Sequence, residues 1–183
     1  MAIQRYVIDG YGQIELNQVA FRRDGRVEAQ CKLEDTDFAT TPAENGMLLA
    51  VDKFNGVVKF ATDASLPIGL VYTTEHMYDE RTPGLKNFKL EKGTFLPRLG
   101  YLSAGEVFTT NCLCYDTTEF ATDAKVDEAL AAIKTTPIYG GISAKGAIKL
   151  SATAPTAGPK LKVVKVYTMP DGQRGVKFHV ISA

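Results

Sequence analysis

Tryptophan is missing from this sequence, histidine occurs twice and cysteine three times, and 21 Lys and Arg are balanced by 21 Asp and Glu. Each shortage excludes something. Zero net charge removes whole-surface attraction to nucleic acid or to an anionic membrane, so neither is expected as a partner. No apolar run approaches the roughly 20 residues that cross a bilayer as a helix. Arg5 and Asp9 interrupt the opening MAIQRYVIDG, where a secretory signal would need an apolar stretch. Cys31, Cys112 and Cys114 cannot all pair with one another. The spacing of Cys112 and Cys114 puts both thiols on one face of a strand, awkward for a bridge and only half of a four-ligand zinc site. Buried, reduced thiols are the expectation, with no metal.

The scarcity of histidine limits acid–base chemistry. His76 lies beside Glu75 and Asp79, and those three would have to converge to hold a metal; the Arg-Thr-Pro-Gly turn at 81–84 points instead to a solvated loop. His179 alternates with Phe178 and Val180, an ordinary strand position. Gly140-Gly141-Ile142-Ser143-Ala144-Lys145-Gly146 lacks the spacing of a phosphate-binding loop, and no nucleophile elbow occurs. The expectation is therefore no catalytic residue, no cofactor and no enzyme.

What is present is a period of two. Apolar runs at 47–51 and 57–60 flank Asn55-Gly56, a strong hairpin signal in which both central residues can take positive φ. A second hairpin is expected to join 14–21 to 27–33 through Arg22-Arg23-Asp24-Gly25-Arg26, and a third to join 160–168 to 175–181 through Met169-Pro170-Asp171-Gly172. Further strands are expected at 68–73, 88–90, 94–102, 107–115 and 147–152, rich in β-branched and aromatic residues. One segment has helical spacing: Val126, Leu130 and Ile133 share a face, Thr122 or Asp123 caps the start and Pro137 blocks continuation. Phe-Ala-Thr-Asp-Ala at 60–64 recurs at 120–124, without matching flanks.

These patterns predict a mainly β protein, an antiparallel β-barrel or sandwich-like body with one short helix at about 123–134 and an extended N-terminal arm. Three segments are expected: an N-terminal arm and hairpin at 1–33, a β-rich main body at 34–142, and a loop with a C-terminal hairpin at 143–183 that can belong to the main body. The charge is uneven along them. Residues 1–90 carry ten Lys/Arg and thirteen Asp/Glu, whereas from Lys145 onward seven basic residues face one acid, Asp171. The basic end could sit against an acidic partner, including a neighbouring copy, or could be solvent-facing lysines that discourage edge-to-edge pairing.

The N-terminal segment directs the functional reading. Ile3, Arg5, Tyr6, Ile8 and Tyr11, spaced by Gly10 and Gly12, are hard to bury in a small β body and could lie along a neighbour as an added strand. Arg22 and Arg23 on a hairpin shoulder are further candidate contacts. Residues 1–12 are expected to be a removable arm.

Gly46-Met47-Leu48-Leu49-Ala50-Val51, then Val58-Lys59-Phe60-Ala61 and Leu66-Pro67-Ile68-Gly69-Leu70-Val71, resemble the glycine-led strands and hairpin return of tailed-phage capsid decoration (cement) proteins. Leu102-Ser103-Ala104-Gly105-Glu106-Val107-Phe108-Thr109 is similar to another such strand. The resemblance covers about residues 45–115. It implies a virion protein, made in the host cytoplasm, that sits on the capsid surface and reinforces contacts between subunits, often as a trimer; its partners would be the major capsid protein and copies of itself. A tail-tube, neck or head-fibre component is the alternative within virion assembly. A carbohydrate- or receptor-binding β module is a different class, for which Tyr72, Tyr78, Tyr101, Tyr115 and Tyr139 are available.

Overall fold

A computed structural model describes residues 2–62, 64–73, 85–93, 96–170 and 172–183. Among them are fourteen strands and one α-helix. In chain order these are β1 (Ile3–Arg5), β2 (Ile14–Gln18), β3 (Val27–Glu28), β4 (Lys32–Leu33), β5 (Leu48–Asp52), β6 (Val57–Phe60), β7 (Ile68–Val71), β8 (Leu99–Gly100), β9 (Val107–Thr110), β10 (Leu113–Asp116), α1 (Asp123–Ala131), β11 (Tyr139–Gly141), β12 (Ile148–Ser151), β13 (Lys160–Thr168) and β14 (Arg174–Ser182). They form two mixed sheets in a sandwich-like body. The larger runs β1-β10-β12-β11-β13-β14-β9-β2 and the smaller β3-β8-β7-β5-β6-β4. Pairing is antiparallel except for β10 with β12 and β4 with β6.

Alternation of side chains sets two cores, one on each side of the smaller sheet. Leu48 and Leu70 face the larger sheet, where they meet Phe108, Tyr115, Phe178 and the Val126–Leu130 stripe of α1. Leu49, Val51, Val58 and Val71 face the other way, onto Phe38, Leu90 and Leu99. All five residues of β5 are consequently buried. A strand buried on both faces must read as an apolar run rather than an alternation.

Residues 107–116, expected as a single strand to 115, are two. β9 is seventh in the larger sheet and β10 second, with only Asn111 and Cys112 between them. The sheet therefore curls, although its edge strands β1 and β2 do not pair with each other and no closed barrel forms. The bend is stitched by side chains. Thr110 Oγ1 accepts from the Cys112 amide at 3.0 Å and donates to the Gln13 carbonyl at 2.5 Å, while Asn111 Oδ1 accepts from the Gln13 amide at 2.7 Å.

The third hairpin forms where expected, as β13 and β14. The Asn55-Gly56 hairpin also forms, but through a four-residue loop at 53–56 in which Gly56 alone takes positive φ (65°). Asp52 explains this choice: its carboxylate accepts from the Asn55 amide at 3.1 Å and side chain at 2.8 Å, holding Asn55 out of the left-handed region. The hairpin expected across 22–26 does not exist. Its turn is present, with Gly25 at φ 71°, but β2 joins the larger sheet and β3 the smaller, so the turn is a corner between sheets. Phe21, fully buried against Gly100, fixes that corner. The strand expected at 88–90 is only a bridge from Leu90 to Ala43. The helix ends at Ala131, three residues early, and Thr122 makes no side-chain cap. The repeated pentapeptide has no common setting, since Phe60 closes β6 while Phe120 follows a turn after β10.

Cys112 and Cys114 share a face, as expected, in the second core; both are free and buried. Burial pushes the Cys112 thiol up to about 12 and the Cys114 thiol up to about 11, from an ordinary value of 9.0. In the unfolded chain these thiols ionise near pH 9, while in the folded chain they stay protonated. Stability is therefore whole below about pH 9 and falls as pH rises toward 11, by about 1.4 kcal/mol per pH unit for each thiol. Urea unfolding at about pH 8 and about pH 10.5 should show the fall, and the Cys112→Ala/Cys114→Ala variant should make it shallower, leaving the share of the other raised thiol and phenols. A second substitution tests the bend: Gly46 has φ 88°, and a Cβ there would stand 2.1 Å from Thr110 Oγ1. Gly46→Ala should cost about 2–4 kcal/mol by denaturant unfolding.

Candidate interaction surface

The residues expected in the arm have mostly been taken up by the chain itself. β1 pairs with β10, with Gln4 opposite Tyr115, so the segment forms an edge strand of its own body rather than projecting from it. Ile3 packs on the second core. Arg5 forms an ion pair with Glu44 at 2.5 Å, and the same oxygen of Glu44 accepts from the Gly12 amide at 2.6 Å. Glu44 is buried and thus clamps both ends of the segment. Tyr6 is also buried; its hydroxyl donates to Asp127 and accepts from Arg174 at 2.8 Å, tying the strand to α1 and β14. Burial and the bond to Asp127 push the Tyr6 phenol up. Tyr11 is half-buried, with Lys89 Nζ 5.3 Å from its ring centre. Removing residues 1–12 would take these contacts away from the body.

Some of this region remains on the surface. Among the described residues, the far side of β1 has no strand partner. Ile8 is half-buried, Val7 is 72% exposed, and Arg22 and Arg23 are exposed on the corner turn, Arg23 beside Asp24. The corner is rigid because Glu106, nearly buried, accepts from the Ala20 amide at 2.8 Å, the Ser103 amide at 2.9 Å and Arg26 at 2.6 Å.

Sequence reasoning missed Phe54. It stands at the tip of the β5–β6 hairpin with 97% of its surface exposed. Its position between Lys53 and Asn55, inside a turn segment where polar residues are usual, was the available signal.

His76, Glu75 and Asp79 lie outside the described residues. Among the described residues no group of three or more His, Cys, Asp or Glu is placed to hold a metal ion, and no helix is long and apolar enough to cross a membrane. One groove of about 600 Å³ lies beside Glu28, Cys31 and Lys53. Burial and the neighbouring Glu28 push the Cys31 thiol up, the reverse of what a nucleophilic thiolate requires. Another of about 440 Å³ is lined by Tyr139, Lys149, Ser151 and Thr153, with no carboxylate or imidazole among its described lining residues.

The Glu44 clamp is directly testable. Glu44→Ala should lower the unfolding free energy by about 2–3 kcal/mol, because it strands a guanidinium and an amide. Hydrogen exchange should speed up at the Gly12 amide and along β1. Unchanged exchange there would mean that the segment is held by other contacts. Comparison with protein-family models, with curated proteins and with solved structures finds no match to this chain, so its function is read from its own geometry.

Proposed function

We propose that this chain is a virion structural protein that binds the outside of an assembled phage capsid and stabilises contacts between its subunits, acting as an oligomer of identical copies, most simply a trimer. The observation that carries this reading is Phe54: a phenyl ring 97% exposed on a hairpin held rigid by the Asp52–Asn55 bonds. Aromatic rings are the usual anchors of protein interfaces, and a hairpin whose backbone is already held loses less entropy on docking. The segment that carries the family resemblance, residues 45–115, contains this hairpin. The short edge of β1, without a strand partner among the described residues, is a place where a neighbour's strand could pair.

No chemistry is required. A protein that binds the mature lattice and not its precursor stabilises that lattice by mass action. Apolar burial contributes about 25 cal/mol per Å² before association costs, so the ring of Phe54 can decide whether a copy remains bound.

Two measurements test the proposal. Purified protein should sediment with capsids that lack it and raise their resistance to heat, and imaging should find it distributed over the head. Phe54→Ser should unfold at the same denaturant concentration as the parent, since nothing covers the ring, yet weaken head binding at least about tenfold. Density confined to the tail or neck would assign the protein there, and absence from every particle would overturn the reading.

A further inference from the structure

Strand pairing settles which C-terminal side chains share a face. Leu161, Val163, Phe178 and Val180 enter the first core. Lys162, Lys165, Lys177 and His179 occupy the opposite face of β13 and β14, with Lys162 directly across from His179 and Lys165 directly across from Lys177. Tyr139, on β11, stands across from Lys162. Lysines on edge strands can be explained as guards against stray pairing, but β13 and β14 are interior strands. That explanation fails here.

The four lysines of this hairpin, like Lys134, Lys145 and Lys149, differ from the seven lysines that form ion pairs among the described residues. Lys32, Lys53, Lys59, Lys86, Lys89, Lys92 and Lys125 each form an ion pair. Among the described residues no acid lies within ion-pair distance of Lys160, Lys162, Lys165 or Lys177. Lys165 and Lys177 instead flank one ring, their Nζ atoms 5.6 and 5.2 Å from the centre of Tyr167. The Tyr167 hydroxyl is anchored to Glu15 and, at 2.9 Å, to Thr109. A fixed aromatic ring thus holds two like charges side by side, where they repel each other. Val164 and Ile181, 47% and 43% exposed, lie on the same hairpin.

We infer that this face of β13–β14 docks an acidic protein surface, one that presents Asp or Glu carboxylates around an apolar spot. The inference rests on the proposed reading of the chain as a component of an assembly. Carboxylates placed between Lys165 and Lys177 would turn their repulsion into attraction, and the ring has already restricted both side chains. Exposed Val164 and Ile181 match the apolar centre of a protein interface. Arginine forks, which recognise phosphate and base edges, are missing from the lysine rows of this hairpin. Nucleic acid is therefore the poorer match. Such contacts steer encounter and weaken with salt.

The test compares three full-length proteins: the parent, Lys162→Gln/Lys165→Gln/Lys177→Gln, and a control, Lys32→Gln/Lys89→Gln/Lys92→Gln, with the same change in charge. Each is titrated with labelled poly-L-glutamate and with a thymidine oligonucleotide of equal charge, at about 50 and about 300 mM salt. The parent should bind poly-L-glutamate more tightly than the oligonucleotide and lose affinity at the higher salt. The face variant should lose at least about tenfold and the control less than about twofold. The face variant should melt no lower than the parent, because a repulsion has been removed. No binding by the parent, equal losses in both variants, or preference for the oligonucleotide would overturn the inference. Sedimentation of the same proteins with capsids separates it from the functional proposal. A parent that binds poly-L-glutamate through this face but never sediments with heads keeps the acidic-partner inference and removes the capsid.

Discussion

The bend at Asn111–Cys112 is the constraint on which the rest of the body depends. One continuous stretch serves as both the seventh and the second strand of the larger sheet, so the sheet has to curl around the first core. A sharp bend takes backbone groups out of the ladder, and leaving one unpaired in the interior costs about 1–3 kcal/mol. Thr110 and Asn111 supply the replacements, and both reach to Gln13. The N-terminal segment is therefore a structural part of the bend. Glu44 holds that segment from its other side through Arg5 and Gly12. Glycine is required where these pieces converge: a Cβ at Gly12 would lie 2.5 Å from the Asn45 carbonyl and 2.7 Å from Cys112 Cβ.

Local signals in the sequence were read well because their causes are local. The β13–β14 hairpin has alternation on both arms and turn residues between them. The stripe of Val126 and Leu130 marks α1, whose end was misjudged because Pro137 marked a stop beyond the last helical bond. Turns were legible, but what a turn joins was not. The Arg22–Arg26 segment has good turn chemistry, yet the partners of β2 and β3 are β9 and β8, roughly ninety and seventy residues away in sequence. Burial of Phe21 against Gly100 sends the two strands apart, and no periodicity within 14–33 encodes that contact. The N-terminal strand was illegible for the same reason, since Arg5 acquires a meaning only once Glu44 is beside it.

The contact surfaces were partly legible in a different way. The basic C-terminal end could be counted, but a count cannot show whether lysines are scattered or aligned. Register did that, by placing Lys165 opposite Lys177 and both against Tyr167. Phe54 was visible as a letter between two halves of a hairpin, and only the four-residue loop showed that its ring has nothing to pack against.

The two surfaces lie on different sheets, and this bears on what the protein can do. Phe54 sits on the smaller sheet, whereas the lysine face belongs to the larger one. An apolar anchor and a cationic face favour different partners: the first needs a pocket, the second a field of carboxylates. A chain that merely attached to a particle would need one of them. Having both on a body stiffened by two cores allows one copy to hold two neighbours at a fixed separation. That is the mechanical requirement for reinforcing a seam between subunits, and it can be met without a moving part or a reacting group. The repulsion between Lys165 and Lys177 fits the same logic, since it disfavours the free body and an acidic neighbour would relieve it. Stability withheld from the free chain becomes, in this reading, part of the preference for the assembled state.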